Sequence, residues 1–449
     1  MTRRLILLGL LLVTAFACKE SVSAFVFEAL IVDGENGNPA AGTDADVLRI
    51  AMQEGELPTQ EYEYPVTDGQ FEAILEFASF SRPTRIRVEL EGPSTSLLTA
   101  PPQFVPTATA GFLRVVTAAP STCERVTFNQ LEAPRSFFGM VQSGTFALIA
   151  GGTEASEEQI EFFDALEWDS RLFEQDFSVS DLGETRAASI DEVEILVLPE
   201  KTAPFIFNMF DATRRVTPVV LHLGAGPRSA LVSVPGLGAM VIGGESAGEA
   251  QAGVSLVEPG GDVTALQLSE PRSGASAAAL GTDVLVAGGN AEGNAEILVD
   301  GQSSGQPLAG VMDGVREGGM LVGDGESRAL WLGGVDEADA IRQDSLRFDD
   351  CPADCLSSAG PDWATARLDV LQPAQSALLI GGDGSSLVEE VRWRDTTVEI
   401  TAVLELQLPR AGAGGIVLES GAFVVAGGDD GVSVRDDFEF CVPAVLEPL

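Results

Sequence analysis

Pro271 to Asp300 reads PRSGASAAALGTDVLVAGGNAEGNAEILVD, and the order of residue types along it decides the fold. An arginine opens the phrase, small residues follow, and the polar turn GTD leads into an apolar run ending in Gly288 and Gly289. A polar loop and a further strand-like segment, AEILVD at Ala295 to Asp300, complete it. An apolar run without alternation suits a strand covered on both faces. The two glycines permit positive φ and close backbone approach where crowded strands turn.

The phrase recurs along the chain. ALIAGG ends in Gly151 and Gly152, AMVIGG in Gly243 and Gly244, and ALWLGG in Gly333 and Gly334. ALLIGG ends in Gly381 and Gly382, and FVVAGG in Gly427 and Gly428. Including the copy at Gly289, the steps between the last glycines are 92, 45, 45, 48 and 46 residues. The first step is double the others, and ILVLPE at Ile195 to Glu200 stands midway as a degenerate copy with Pro199 in the place of a glycine. A second mark precedes the first: Pro-Arg ends at Arg135, Arg228, Arg272 and Arg410, and Arg186, Arg316 and Arg367 are assigned to its slot in the weaker copies. Self-similarity at this period, with four short strands to a unit, predicts an all-β chain whose main body is a seven-bladed β-propeller.

The order Pro-Arg, apolar run, Gly-Gly resembles the kelch repeat, and the resemblance spans Cys123 to Cys441. Ala275 and Ala413 stand where many kelch units carry histidine or an aromatic residue, and Trp168, Trp331, Trp363 and Trp393 are read as core or blade packing. The last copy lacks a fourth strand, and ERVTFNQL at Glu124 to Leu131 precedes the first copy with no blade of its own. Blade seven is therefore expected to be shared between N- and C-terminal strands, which closes the ring. Cys123 precedes the first of these strands and Cys441 follows the other, VSVRDDFEF. Four cysteines allow three pairings. Strand adjacency favours Cys123 with Cys441, leaving Cys351 and Cys355 as a small staple in DDCPADCLSS.

The chain opens with Arg3 and Arg4 before an apolar run from Leu5 to Phe16, the form of an export signal. Ala17 before Cys18 resembles the lipobox of bacterial lipoproteins, in which Cys18 carries the lipid; Ala15 and Ala17 also fit an ordinary A-x-A cleavage site. Assigning Cys18 to lipid leaves an even set of cysteines for an oxidising compartment. The expected organisation is a signal peptide at 1–17, a lipid-anchored linker at 18–22, a small β-sandwich at 23–120, the propeller at 121–442 and a tail at 443–449. In the sandwich segment, Val32, Asp33, Gly37, Pro39 and Gly42, followed by TDGQFEAIL at Thr67 to Leu75, resemble the carboxypeptidase regulatory-like domain. An immunoglobulin-like sandwich would read similarly. Asp33, Glu35, Asn36 and Asn38 suggest calcium, but Gly37 breaks the ligand spacing and a polar hairpin turn accounts for them.

The net charge of −42 arises from 68 acidic against 26 basic residues, which excludes nucleic acid as a partner because phosphate binding needs a basic footprint. His222 is the single histidine and stands in VVLHLGAG beside an apolar run, so no Ser-His-Asp or Cys-His set arises from local spacing. Kelch-like oxidases related to galactose oxidase hold copper with two histidines and two tyrosines. That set exceeds His222 with Tyr62 and Tyr64, which lie in the first domain. No cofactor or metal is expected. These readings point to a monomeric, non-enzymatic binding or scaffold protein, lipid-anchored in the cell envelope at the outer membrane, whose propeller loops meet a protein or glycan ligand. The small acidic loops after each Gly-Gly are the expected contact surface. The rival expectation is a carbohydrate-active enzyme with paired carboxylates in the propeller channel.

Overall fold

The computed structural model describes residues 23–31, 44–54, 58–67, 74–77, 84–94, 96–99, 112–143, 146–153, 160–165, 168–172, 182–209, 216–222, 228–300, 302–308, 314–373, 376–394, 397–418 and 421–444. Cys18, the export segment and Asp33 to Asn38 lie outside the described residues. Every regular element described is a β-strand, and the chain parts into two compact units between Thr117 and Ala118.

The first unit is one seven-stranded sheet. Its strands are Ser23–Ile31, Val47–Glu54, Gln60–Pro65, Ile74–Phe77, Thr84–Glu91, Ser96–Thr99 and Phe112–Ala118, the first and last pairing in parallel. Period-two alternation drives its core. Leu48, Ile50 and Met52 lie opposite Leu90, Val88 and Ile86, and all six are buried. On the other face of the same strands Arg49 reaches Glu63 at 3.1 Å and Glu91 at 2.8 Å, a cross-strand ion ladder open to solvent.

Among its described residues the second unit holds seven sheets, most of them four-stranded antiparallel meanders, a propeller-like arrangement. Sheet one takes Gly139–Ser143, Phe146–Ala150, Ile160–Asp164 and Asp169–Leu172. Sheet two begins at Thr185–Ser189 and Glu194–Pro199, and sheet three at Ala230–Val234 and Gly238–Ile242. Sheet four begins at Ser276–Leu280 and Asp283–Ala287, and sheet five at Met320–Gly323 and Ala329–Leu332. Sheet six has three strands, its first reduced to a bridge between Leu371 and Ile380. In sheet seven Asp437–Val442 pairs with Thr122–Gln130, which comes from before sheet one, and Cys441 faces Cys123 in that register. These two cysteines form a disulfide with Cα atoms 4.0 Å apart, and Cys351 with Cys355 forms another.

Each apolar run quoted above is the second strand of its sheet and is buried, as in Val284, Leu285, Val286 and Ala287, except that Ala377 and Leu378 of sheet six are half-buried. The paired glycines follow at once, and their role is interstrand contact. The N–H of Gly244 donates to the carbonyl of Arg272, whose side chain enters the next sheet, that of Gly289 to Arg316, that of Gly382 to Arg410, and that of Gly428 to Arg135. A Cβ on Gly288, where φ is +71°, would stand 2.5 Å from the Arg316 carbonyl oxygen, so only glycine lets the sheets approach.

The slot arginines are buried cations. Arg135, Arg272, Arg316, Arg367 and Arg410 are 0–6% exposed. Each donates to the carbonyl of the first glycine of its own sheet: Arg272 to Gly288 at 2.7 Å, Arg316 to Gly333 at 3.0 Å, Arg410 to Gly427 at 2.6 Å, with Arg135 to Gly151 and Arg367 to Gly381 alike. Each also meets a carboxylate: Arg135 meets Glu161, Arg272 meets Glu296 at 2.8 Å, Arg316 meets Asp344 at 2.8 Å, Arg367 meets Glu389 at 2.6 Å, and Arg410 meets Glu439 at 2.8 Å. Charge-assisted bonds of this kind satisfy a guanidinium that burial would otherwise penalise heavily.

Two assignments to the slot are corrected. Arg186 lies on the first strand of sheet two, paired with Leu198, the position held by Gly139, Ala230, Ser276, Met320 and Gly414 in their sheets. Gly183 supplies the slot carbonyl there, accepting from the Gly152 N–H, and Leu182 packs with Phe205 in one apolar cluster where arginine and glutamate stand elsewhere. Arg228 likewise sits outside, 45% exposed and bonded to Glu245 at 3.0 Å.

The Leu182 and Phe205 pair indicates that an apolar pair can replace the ionic one. Arg272→Met alone is expected to cost roughly 3–5 kcal/mol, because it strands Glu296 in the core. Adding Glu296→Leu should recover most of that loss, as read from urea unfolding of the single and double variants.

Candidate functional site

The first strands of the sheets gather around two cavities of about 360 and 590 Å³. Both are lined by Met140, Ala187, Leu231, Ala277 and Leu321, so they are two ends of one channel. Alternating strands put small side chains and backbone on this surface, which is why Ala187, Ala230, Ala275 and Ala277 recur there.

Main-chain bonds link the sheets at the narrower end. The Gly274 N–H donates to Arg228 O, Gly318 to Gly274, Gly412 to Asp369, Phe137 to Gly412 and Thr185 to Phe137. Phe137, Arg228 and Asp369 hold positive φ of 55°, 63° and 53° here, a conformation glycine takes in the other sheets.

Arg186 lines the narrower cavity and is open to solvent within it. Its guanidinium has no hydrogen-bond or ion-pair partner among the described residues, and enclosure by protein pushes its pKa down against the charge of Glu184. Asp369 keeps solvent contact, yet the protein around it takes enough water away to raise its carboxyl above the usual range, and the charges of Asp383 and Glu184 add to the effect. The lining at this end therefore carries one guanidinium that no carboxylate of the described residues pairs with.

At the wider end the lining includes Trp393 and Asp324. The other three tryptophans are buried packing residues, but Trp393 is half-buried with the Arg328 guanidinium 5.1 Å from its ring centre. Asp324 is the one carboxylate that lines either cavity among the described residues, and it accepts from Arg328 Nε at 2.6 Å and from the N–H groups of Glu326, Ser327 and Arg328. A facing pair of acids for glycoside hydrolysis is not assembled in this lining.

Two of the loops after the glycine pairs use an acid locally. Asp336 accepts from the N–H groups of Ala338 and Ala340, and Asp430 from those of Val432 and Ser433. These bonds hold both carboxyls below their ordinary pKa and mark them as turn formers. The glycines themselves serve sheet contact, and the four paired cysteines serve as staples.

No protein-family model matches the chain, and no curated protein matches it. Among solved structures, it resembles a fungal alcohol oxidase of the AA5 family in complex with copper, at 14% identity and a TM-score of 0.52, over 70% of this chain and 75% of that one. It also matches the structure of YjhT, at 10% identity and a TM-score of 0.40, over 69% of this chain and 95% of that one. The first likeness establishes a shared propeller-like fold.

The expectation that the chain is not an enzyme is overturned here. The fold from which it was read is also that of an alcohol oxidase, so the fold no longer weighs against catalysis. Copper itself does not fit the residues present. His222 is exposed, with its backbone N–H donating to Ser255 Oγ at 2.9 Å, and Tyr62 and Tyr64 belong to the first unit. Among the described residues no three His, Cys, Asp or Glu side chains group so as to hold a metal.

A raised carboxyl pKa means that the folded state holds the proton more tightly than the unfolded chain. The cost of charging Asp369 therefore grows as pH rises from the unfolded value of about 3.9 to the folded one, and persists above it. Asp369→Asn, which tolerates the positive φ, should raise stability at pH 7 and give no gain below about pH 3.5, as measured by unfolding at the two pH values.

Proposed function

We propose that this chain is a ligand-binding protein of the cell envelope, whose second unit is a closed seven-bladed propeller of kelch-like repeats with a sugar-sized ligand held in its channel. The observation that carries the reading is the channel itself, formed by the first strands of the sheets, lined by small side chains and ending at Trp393. An aromatic face and main-chain groups suit a sugar, which presents apolar C–H surfaces and many hydroxyls. Ring closure is supported by two bonds from the last sheet to the first, Phe137 to Gly412 and Gly428 to Arg135, and by the Cys123–Cys441 disulfide, which joins the N- and C-terminal strands within the last sheet.

The reading is tested by native mass spectrometry of the protein against a panel of mono- and oligosaccharides. Wild type should retain a sugar adduct, and Ala277→Trp and Ala187→Trp, each filling the channel from a different strand, should lose it while keeping their unfolding temperatures. Adducts that survive both substitutions would place the ligand elsewhere.

Envelope anchoring through Cys18 is part of the same proposal, supported by the export-like N-terminus and by disulfides of a kind that persist in oxidising compartments. Metabolic labelling with a fatty acid should mark wild type and leave Cys18→Ala unmarked; an unlabelled wild type would end the lipid assignment.

A further inference from the structure

Arg186 is a guanidinium without a carboxylate in a chain that carries 68 acidic and 26 basic residues. The five slot arginines are each closed off by an acid and a glycine carbonyl, and Arg228 by Glu245. Arg186 alone among these stands in the channel lining, at a register position where the neighbouring sheets carry glycine, alanine, serine or methionine.

We propose that Arg186 anchors an anionic subsite in the narrower end of the channel and takes the carboxylate of a singly charged sugar acid. The proposal rests on the channel-binding reading above and names the chemistry of the ligand. A planar guanidinium offers two parallel N–H donors to a carboxylate, and enclosure by protein strengthens that pairing relative to water. Glycine, alanine and serine at four of the five equivalent positions, Gly139, Ala230, Ser276 and Gly414, leave room beside it. A single charge is selected because Arg186 is the one arginine or lysine that lines either cavity among the described residues, so a second negative charge on the ligand would meet no cation there.

Isothermal titration of the full-length protein with glucuronate, glucose and glucose 6-phosphate tests this, because the three share a frame and differ in charge. Glucuronate is expected to bind at least about tenfold more tightly than either of the others. Arg186→Gln should lower glucuronate affinity about tenfold and leave glucose unchanged, while Arg186→Lys retains part of the gain. Arg394→Gln, an exposed arginine outside the channel, should change neither.

Equal affinity for glucuronate and glucose, or glucuronate binding that survives Arg186→Gln, would overturn the anionic subsite. The channel reading would still stand if Ala277→Trp abolished the glucose binding. Tightest binding of glucose 6-phosphate would overturn the single-charge assignment, and no binding by any of the three would overturn the sugar-acid proposal. An Arg186→Gln protein that fails to fold is replaced by Arg186→Met, read the same way.

Discussion

A buried arginine between a carboxylate and a glycine carbonyl is the contact on which the second unit depends. Its side chain ties the second strand of its sheet to the third, as Arg272 does between Gly288 and Glu296. Its own carbonyl accepts an N–H from the sheet before, as Arg272 does from Gly244. One residue thus fixes the inside of a sheet and its junction with a neighbour. A buried ion pair gives little net stability over an apolar pair of the same shape, yet losing one partner is costly. The arrangement therefore favours a fixed geometry, with the arginine, the acid and the glycine pair held in place together.

Sheets two and three show what happens when that contact is relaxed. Leu182 with Phe205 keeps the interior of sheet two dry and full, and Ser255 takes the position in sheet three that a glutamate fills in sheets one, four, six and seven. Departures from a repeat remove a constraint on side-chain identity at nearby positions. The channel lining is mostly small or apolar, and Arg186, in the sheet whose clamp is apolar, is the one arginine or lysine in it among the described residues.

The likeness to a copper alcohol oxidase illustrates how far a shared fold reaches. That oxidase was solved in complex with copper, while here the single histidine is exposed and no three ligating side chains group together among the described residues. Chemistry is decided by what the loops and first strands present, and those are the positions where the repeat imposes least.

The repeat, its period and the all-β class were legible in the sequence because a strand buried on both faces must be apolar throughout and a crowded turn must be glycine. The pairing of Cys123 with Cys441 was legible because each flanks a strand that lacked a partner of its own. The acids that complete the clamps were hidden, since Glu161, Glu296, Asp344, Glu389 and Glu439 follow their arginines at separations between 22 and 29 residues among 68 acids. Arg186 was misplaced for a related reason: a motif of one arginine and small neighbours does not encode which strand position carries it. Sequence by itself determined which residues must be buried or must turn, because hydrophobicity and backbone sterics are local properties. Only the tertiary structure decided which charges meet and which one is left facing the channel, because a charge is satisfied by partners brought from distant parts of the chain.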